Sequence, residues 1–395
     1  MDFPERFSNL PEYAFPRLRT LLDEHAPGGD VVHMTIGEPK HAFPPWVTDV
    51  IVEHAQLFNN YPPNHGSDAL RETFAAWFQR RYGVALDAQA HVMPLNGTRE
   101  GLYNVAMALC DGRKNGAQAA MLMPNPFYQV YMLAAISVQA EPILVPATEE
   151  TGHLPDYANV DPAVLDRTVA VYICSPANPQ GAVADEDYWR DLISLAEKHD
   201  FLIFADECYS EIYRETPPPG ALQVARAMGA NPERVLAFHS LSKRSNLPGL
   251  RSGFVAGGPE CLRRINQLRT YAGSPLAGPL QAAATAVWAD EAHVIENREQ
   301  YREKYAIADR IFGNVAGYQS PEAGFFLWLP VADGEEAALR LWKETGVRVL
   351  PGAYLAREID GLNPGDAYIR AAMVAPKDDM ERGLVAIRET LYGTE

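Results

Sequence analysis

The sequence predicts an α/β fold: a large domain with a mostly parallel central sheet sandwiched by helices, and a smaller α+β domain. Three observations lead there. Short apolar, strand-like runs alternate with helical patterns between residues 68 and 240, the signature of parallel βαβ units. From about residue 280 the pattern changes to long helices around short strands. The length of 395 residues suits about two domains.

The elements follow in order. "DALRETFAAWFQRRYG" (68–83) and "REGLYNVAMALC" (99–110) carry helical periodicity. The apolar run "AAMLM" (119–123) reads as a strand, and "FYQVYMLAAISV" and "EPILVP" follow it. Next come the strand-like "TVAVYICS" (168–175), the helix "DEDYWRDLISLAEKHD" (185–200), and the strands "FLIFAD" (201–206) and "RVLAFHS" (234–240). Beyond 280 stand the long helix "DEAHVIENREQYREKYAIADRIFG", the run "GFFLWLPV", a helix near 335–345, "GVRVL", "AYIRAAMV" and a last helix. The expected division is a large domain over 46–280 and a small one over 1–45 and 281–395.

Charge and composition narrow the function. Lys and Arg number 34 against 51 Asp and Glu, a formal charge of −17, which argues against nucleic acids and anionic membranes as partners. No stretch approaches the roughly 18 apolar residues of a membrane span, and the first residues show no apolar core of a secretory signal. Cys110, Cys174, Cys208 and Cys261 lie far apart, which suits reduced thiols and a cytoplasmic protein. Neither the cysteines nor the ten histidines have metal-site spacing, so no metal is expected.

Open parallel sheets bind ligands beyond the carboxyl ends of their strands. Three strand ends carry chemistry: "TVAVYICSPANPQG" runs into Asn178, "FLIFADECYSEIY" into Asp206 and Tyr209, and "RVLAFHSLSK" into Lys243. An amine forms a Schiff base with an aldehyde. A carboxylate beside a ring nitrogen keeps a pyridine protonated, and an amide and a phenol can donate to a ring oxygen. Arg251, eight residues past Lys243, is suited to grip a phosphate bidentately. Gly97 and Thr98 open a helix whose free N–H groups would face the same anion. Ser240 and Ser242 add hydroxyls, and Phe127 and Tyr128 offer flat partners for a ring. The small molecule that fits this set is pyridoxal 5′-phosphate.

Taken one at a time, these residues also have plainer readings. Lys243 is also read as a solvated loop lysine, Asp206 as a helix N-cap and Asn178 as a turn former. Arg370 also reads as a surface ion pair, and Tyr61 as a packing residue.

The segments "TIGEP", "YPPNHGSDALRE", "NGTREGL", "SPANPQG", "ADECYSEIY", "SLSKRSNLPGLRSGF" and "YIRAAMV" stand in an order that resembles the class I/II aminotransferases of PLP fold type I over nearly the whole chain. The resemblance implies a homodimer that moves an amino group between an amino acid and a 2-oxo acid with ping-pong kinetics. In it, Lys243 holds the cofactor aldehyde and shuttles the proton, Asp206 pairs with the ring nitrogen, and Tyr209 and Asn178 donate to the ring oxygen. Thr98, Arg99, Ser240, Ser242 and Arg251 form the phosphate cup, Thr98 and Arg99 through backbone N–H. Arg370 holds the substrate α-carboxylate, with Asn178 and Gly37 at the same end, and Tyr61 reaches the phosphate of the neighbouring subunit. Relatives often have Gly-Tyr-Pro where this chain has Phe127, Tyr128 and Gln129; register favours Tyr128 as the ring stacker.

The stretch "FHSLSKRSNLPGLRSGFVAGG", followed by "RTYAGSPLAGPLQAA" and "WADEAHVIENREQYREKY", looks most like the succinyldiaminopimelate aminotransferases of bacterial lysine biosynthesis. That implies N-succinyl-LL-2,6-diaminopimelate and 2-oxoglutarate as substrates, with Arg17, Arg19 and Arg269 as candidates for a distal pocket. The alternatives are another aminotransferase specificity (aspartate, aromatic or unsuccinylated LL-diaminopimelate), a C–S lyase using the same cofactor, or a non-enzymatic cofactor-sensing domain.

Overall fold

The computed structural model describes residues 5–8, 10, 12–273 and 275–393. Its centre is a seven-stranded sheet. In spatial order the strands are Val92–Leu95, Gly253–Ala256, Val235–Ser240, Leu202–Asp206, Thr168–Cys174, Ala120–Asn125 and Glu141–Pro146. Every neighbouring pair is parallel except those made by Gly253–Ala256, which runs antiparallel to both its neighbours. The central strands are buried on both faces, so they read as continuous apolar runs rather than alternating ones.

Helices cover the sheet, and local sequence sets their ends. In Asp68–Tyr82, the Ser67 hydroxyl accepts the Leu70 N–H at the start, and Gly83 closes the helix at φ 70°. Its Phe74, Trp77 and Phe78 sink into an apolar cluster with Phe254 and Trp288, with Phe74 and Phe254 stacked at 4.4 Å. Burial of such side chains is worth roughly 1.5–3 kcal/mol each. The helix Gly278–Ala289 puts Ala283, Ala284, Val287 and Trp288 into the same cluster.

A second apolar cluster lies around the three-stranded antiparallel sheet of Phe326–Pro330, Tyr368–Ala372 and Leu350–Pro351. The helices Ala292–Phe312, Gly334–Thr345 and Lys377–Tyr392 pack there. Val32–His33 pairs in parallel with Val347–Arg348, tying the N-terminal segment to this part of the chain. No helix among the described residues is long and apolar enough to cross a membrane.

Candidate active site

The strand ends converge as the topology requires. A cavity of about 560 Å³ is lined by Asn178, Asp206, Tyr209, Ser240, Ser242 and Lys243 from the parallel strands, and by Thr98, Arg99 and Arg251 from beside them. Tyr128, Phe127, Gly37 and Arg370 complete its wall. Of the cofactor and α-carboxylate residues expected from sequence only Tyr61 stands apart; it is fully exposed and does not line the cavity.

Lys243 sits in the short helix Leu241–Arg244, begun by Ser240, whose hydroxyl accepts the Ser242 N–H at 3.1 Å. Its ammonium donates to the Gly37 carbonyl and lies 5.5 Å from the Phe325 ring centre. Burial pulls its pKa down to about 8, assisted by the positive charge of Arg370. Asp206 is buried at the end of its strand and accepts the Tyr131 hydroxyl at 2.7 Å. Burial pushes its carboxyl up, against hydrogen bonds from Cys208 and Tyr131 and the charge of Lys243. Tyr131 is itself stacked on Tyr172 at 4.6 Å. The Tyr209 phenol is also buried, which pushes its pKa up, and its ring meets Phe325 edge-on at 5.4 Å.

Arg370 lies mid-strand and is 4% exposed. It donates to Asn178 Oδ1 at 3.0 Å and to the Thr35 carbonyl at 2.6 Å, and its guanidinium lies 4.2 Å from the centre of the Phe326 ring. Its Nε is buried without a partner among the described residues, and burial lowers its pKa to about 10. A buried, partly satisfied guanidinium is poised for an anion. On the opposite side Gly97 precedes the helix Thr98–Leu109 at φ 81°, and a Cβ there would run into the Arg251 guanidinium. Arg251 donates to the Pro248 carbonyl at 2.8 Å, and Thr98 Oγ1 lies 3.1 Å from Cys208 Sγ.

Phe127 is buried in the cluster beneath the sheet edge. Tyr128 is half-buried, and its hydroxyl accepts Arg99 Nε at 2.7 Å. The three distal-pocket candidates are corrected. Arg269 is buried and tied to Glu100 and the Pro94 carbonyl, Arg17 pairs with Glu335 over the Tyr354 ring, and Arg19 is an exposed residue of the helix Ala14–Leu22. None of them lines the cavity. Sequence reasoning missed Tyr131, Cys208, Tyr13 and Phe326, all in the wall. Tyr131 had a signal, since it stands three residues after Tyr128 at the start of a helix and so shares its face.

Such a site offers a buried amine, a buried carboxylate, an anion-binding helix start with an arginine, and a second buried guanidinium. These features fit pyridoxal 5′-phosphate: Lys243 offers an amine for its aldehyde, Asp206 a buried carboxylate for its ring nitrogen, and Arg251, which packs against the Cβ-less turn at Gly97 by the start of the helix Thr98–Leu109, a guanidinium with no ion pair among the described residues for its phosphate.

Comparison with known proteins agrees. The family model described as aminotransferase class I and II matches residues 29–387. The LL-diaminopimelate aminotransferase of Desulforudis audaxviator (strain MP104C) is 31% identical, over 99% of either chain. That of Moorella thermoacetica is 30% identical over 100% of both. Among solved structures, an aminotransferase from Neisseria meningitidis Z2491 has a TM-score of 0.92 at 38% identity, over 97% of this chain and 98% of the other. A probable N-succinyldiaminopimelate aminotransferase from Thermus thermophilus gives 0.82 at 26%, over 96% and 100%. A family match over that span, on a fold that brings this donor set together, places the chain in the class I and II aminotransferases, enzymes that depend on pyridoxal 5′-phosphate.

Proposed function

We propose that the chain transfers the amino group of N-succinyl-LL-2,6-diaminopimelate to 2-oxoglutarate. The observation that carries this reading is the cavity's graded depth. Asp206 and Arg370 are buried in its floor, while Tyr13, Ile36 and Glu38 are exposed at its rim. A substrate anchored by its α-carboxylate at the floor therefore has room to run a long side chain toward the rim.

In this reading Asp206 holds the ring nitrogen of the cofactor, and Tyr209 and Asn178 hold its ring oxygen. Tyr128 covers the ring. Ser240, Ser242, Arg251 and the N–H groups of Thr98 and Arg99 hold the phosphate, with Tyr61 reaching it from a second copy of the chain. Arg370, Asn178 and Gly37 fix the substrate α-carboxylate. Bound there, pyridoxal 5′-phosphate supplies the electron sink for the pair left at the substrate Cα. Lys243 Nζ takes the Cα proton and returns it, a role suited to an amine whose pKa burial has brought to about 8.

A second reading takes unsuccinylated LL-diaminopimelate as donor. Glu38 favours it, since a carboxylate on the cavity wall, paired with Lys40, complements a distal ammonium. The relatives from Desulforudis and Moorella bear that substrate's name.

Initial rates with both donors, aspartate and aromatic amino acids decide between them. The proposal expects the highest kcat/KM for the succinylated donor, with parallel double-reciprocal lines against 2-oxoglutarate. Intersecting lines would refute the shared-site cycle. Release of pyruvate and ammonia without an acceptor would make the chain a lyase.

A further inference from the structure

The helix Ala292–Phe312 buries Val294, Tyr301, Tyr305, Ile307, Ala308 and Phe312, and with them the amide of Asn297, which is 3% exposed. A buried amide is tolerated where its donors and acceptors are met. Those of Asn297 are met by other parts of the chain. Its Oδ1 accepts His41 Nδ1 at 2.9 Å and Asn246 Nδ2 at 3.1 Å. Its Nδ2 is shared between the carbonyls of Lys243 and Arg244, 3.4 Å from each. Donors meet the oxygen and acceptors the nitrogen, so the amide fits in one orientation only.

The two carbonyls end the short helix Leu241–Arg244, beyond the reach of its own N–H groups. Segment 37–42 meets the same stretch at three places. The Lys243 ammonium donates to the Gly37 carbonyl, Asn246 Nδ2 reaches the Ala42 carbonyl at 3.4 Å, and His41 joins through Asn297. The His41 ring is held in turn against Tyr301, one turn beyond Asn297, with ring centres 4.8 Å apart.

We infer that Asn297 is a positioning residue for Lys243: it ties the main chain that carries the lysine to segment 37–42 and so sets where Nζ stands in the cavity. This goes beyond the reading above but rests on it, since it takes Lys243 as the group that moves the Cα proton. Any shift of the helix end is carried along the side chain to Nζ, and a displacement of ~1 Å at a reacting atom can cost about 100-fold in rate. Asn297 does not itself line the cavity, so its loss removes no group that binds substrate or cofactor.

The test follows the donor with the highest kcat/KM in the panel above, carrying hydrogen or deuterium at Cα, in the parent, Asn297→Ala and His41→Phe. The second variant keeps a ring against Tyr301 and removes only the donor to Asn297. In Asn297→Ala kcat should fall by roughly 10- to 100-fold, with KM within about twofold of the parent and a larger primary isotope effect. His41→Phe should move kcat and the isotope effect the same way, by roughly 2- to 10-fold in kcat, the worth of one hydrogen bond. Apo-protein of both variants should also take up pyridoxal 5′-phosphate more slowly, a readout that needs no turnover.

A folded Asn297→Ala with parental kcat and isotope effect overturns the inference; so does a loss explained wholly by KM or by lower cofactor occupancy. Should Asn297→Ala not fold, His41→Phe decides alone, and an unchanged isotope effect there overturns it. Lys243→Ala is the control. If that variant still transfers the amino group, the role given to Lys243 fails; if it is inactive while Asn297→Ala is parental, only the role of Asn297 does.

Discussion

Burial separates Lys243 from a surface lysine. With water excluded the ammonium is disfavoured, and the pKa falls to about 8 from the ordinary ~10.4. Only the neutral amine attacks an aldehyde. At pH 7 roughly a tenth of the Lys243 side chains are then neutral, against fewer than one in a thousand for an exposed lysine. The rate at which apo-protein takes up pyridoxal 5′-phosphate should therefore rise with pH and level off near 8, followed by stopped-flow absorbance. A rate still climbing tenfold per pH unit above 9 would show that the amine is not desolvated. The residues carrying this chemistry were legible in the sequence because each follows an apolar strand at once. The hydrogen bond from Tyr131 to Asp206 was not, because the two sit 75 residues apart and only the folded sheet brings them within 2.7 Å. The same blindness explains Arg269 and Arg17, whose carboxylates come from Glu100 and Glu335.

Elements were legible where their pattern was long or strongly apolar. The five parallel strands and the helices around them follow from runs such as "FLIFAD" and "TVAVYICS". Val92–Leu95 and Gly253–Ala256 went unread, since four residues carry no periodicity, and Pro94 argues against a strand. Gly278–Ala289 is apolar nearly all round and so has no amphipathic signature. The turn between Val92–Leu95 and Thr98–Leu109 depends on Gly97, whose φ of 81° and ψ of 151° are nearly forbidden to other residues. Gly97→Ala should cost about 1–3 kcal/mol of stability and displace Arg251. Both consequences are measurable, as a lower denaturation midpoint and as weaker cofactor binding in a fluorescence titration. A variant with parental cofactor affinity would mean that this turn does not shape the phosphate site.

At the scale of the whole molecule, Tyr61 poses a problem that one chain does not solve. It is fully exposed, in the same stretch as exposed Phe58 and Val52, and it does not line its own chain's cavity. Three large apolar side chains presented to water within ten residues are better explained by a second copy covering them than by a free surface. If Tyr61 completes the neighbour's phosphate site, each active centre draws Lys243 from one chain and Tyr61 from the other. A hybrid then separates the two contributions. Lys243→Ala should abolish amino transfer, and Tyr61→Ala should weaken cofactor binding by roughly 10- to 100-fold, as expected for loss of a hydrogen bond to a charged group. When the two variants are mixed and reassociated, one centre in each hybrid carries both defects. The other regains an intact Lys243 together with an intact Tyr61. Activity at limiting cofactor should therefore rise well above that of either variant alone. Were Tyr61 to act only within its own chain, every hybrid centre would keep one defect and no recovery would follow.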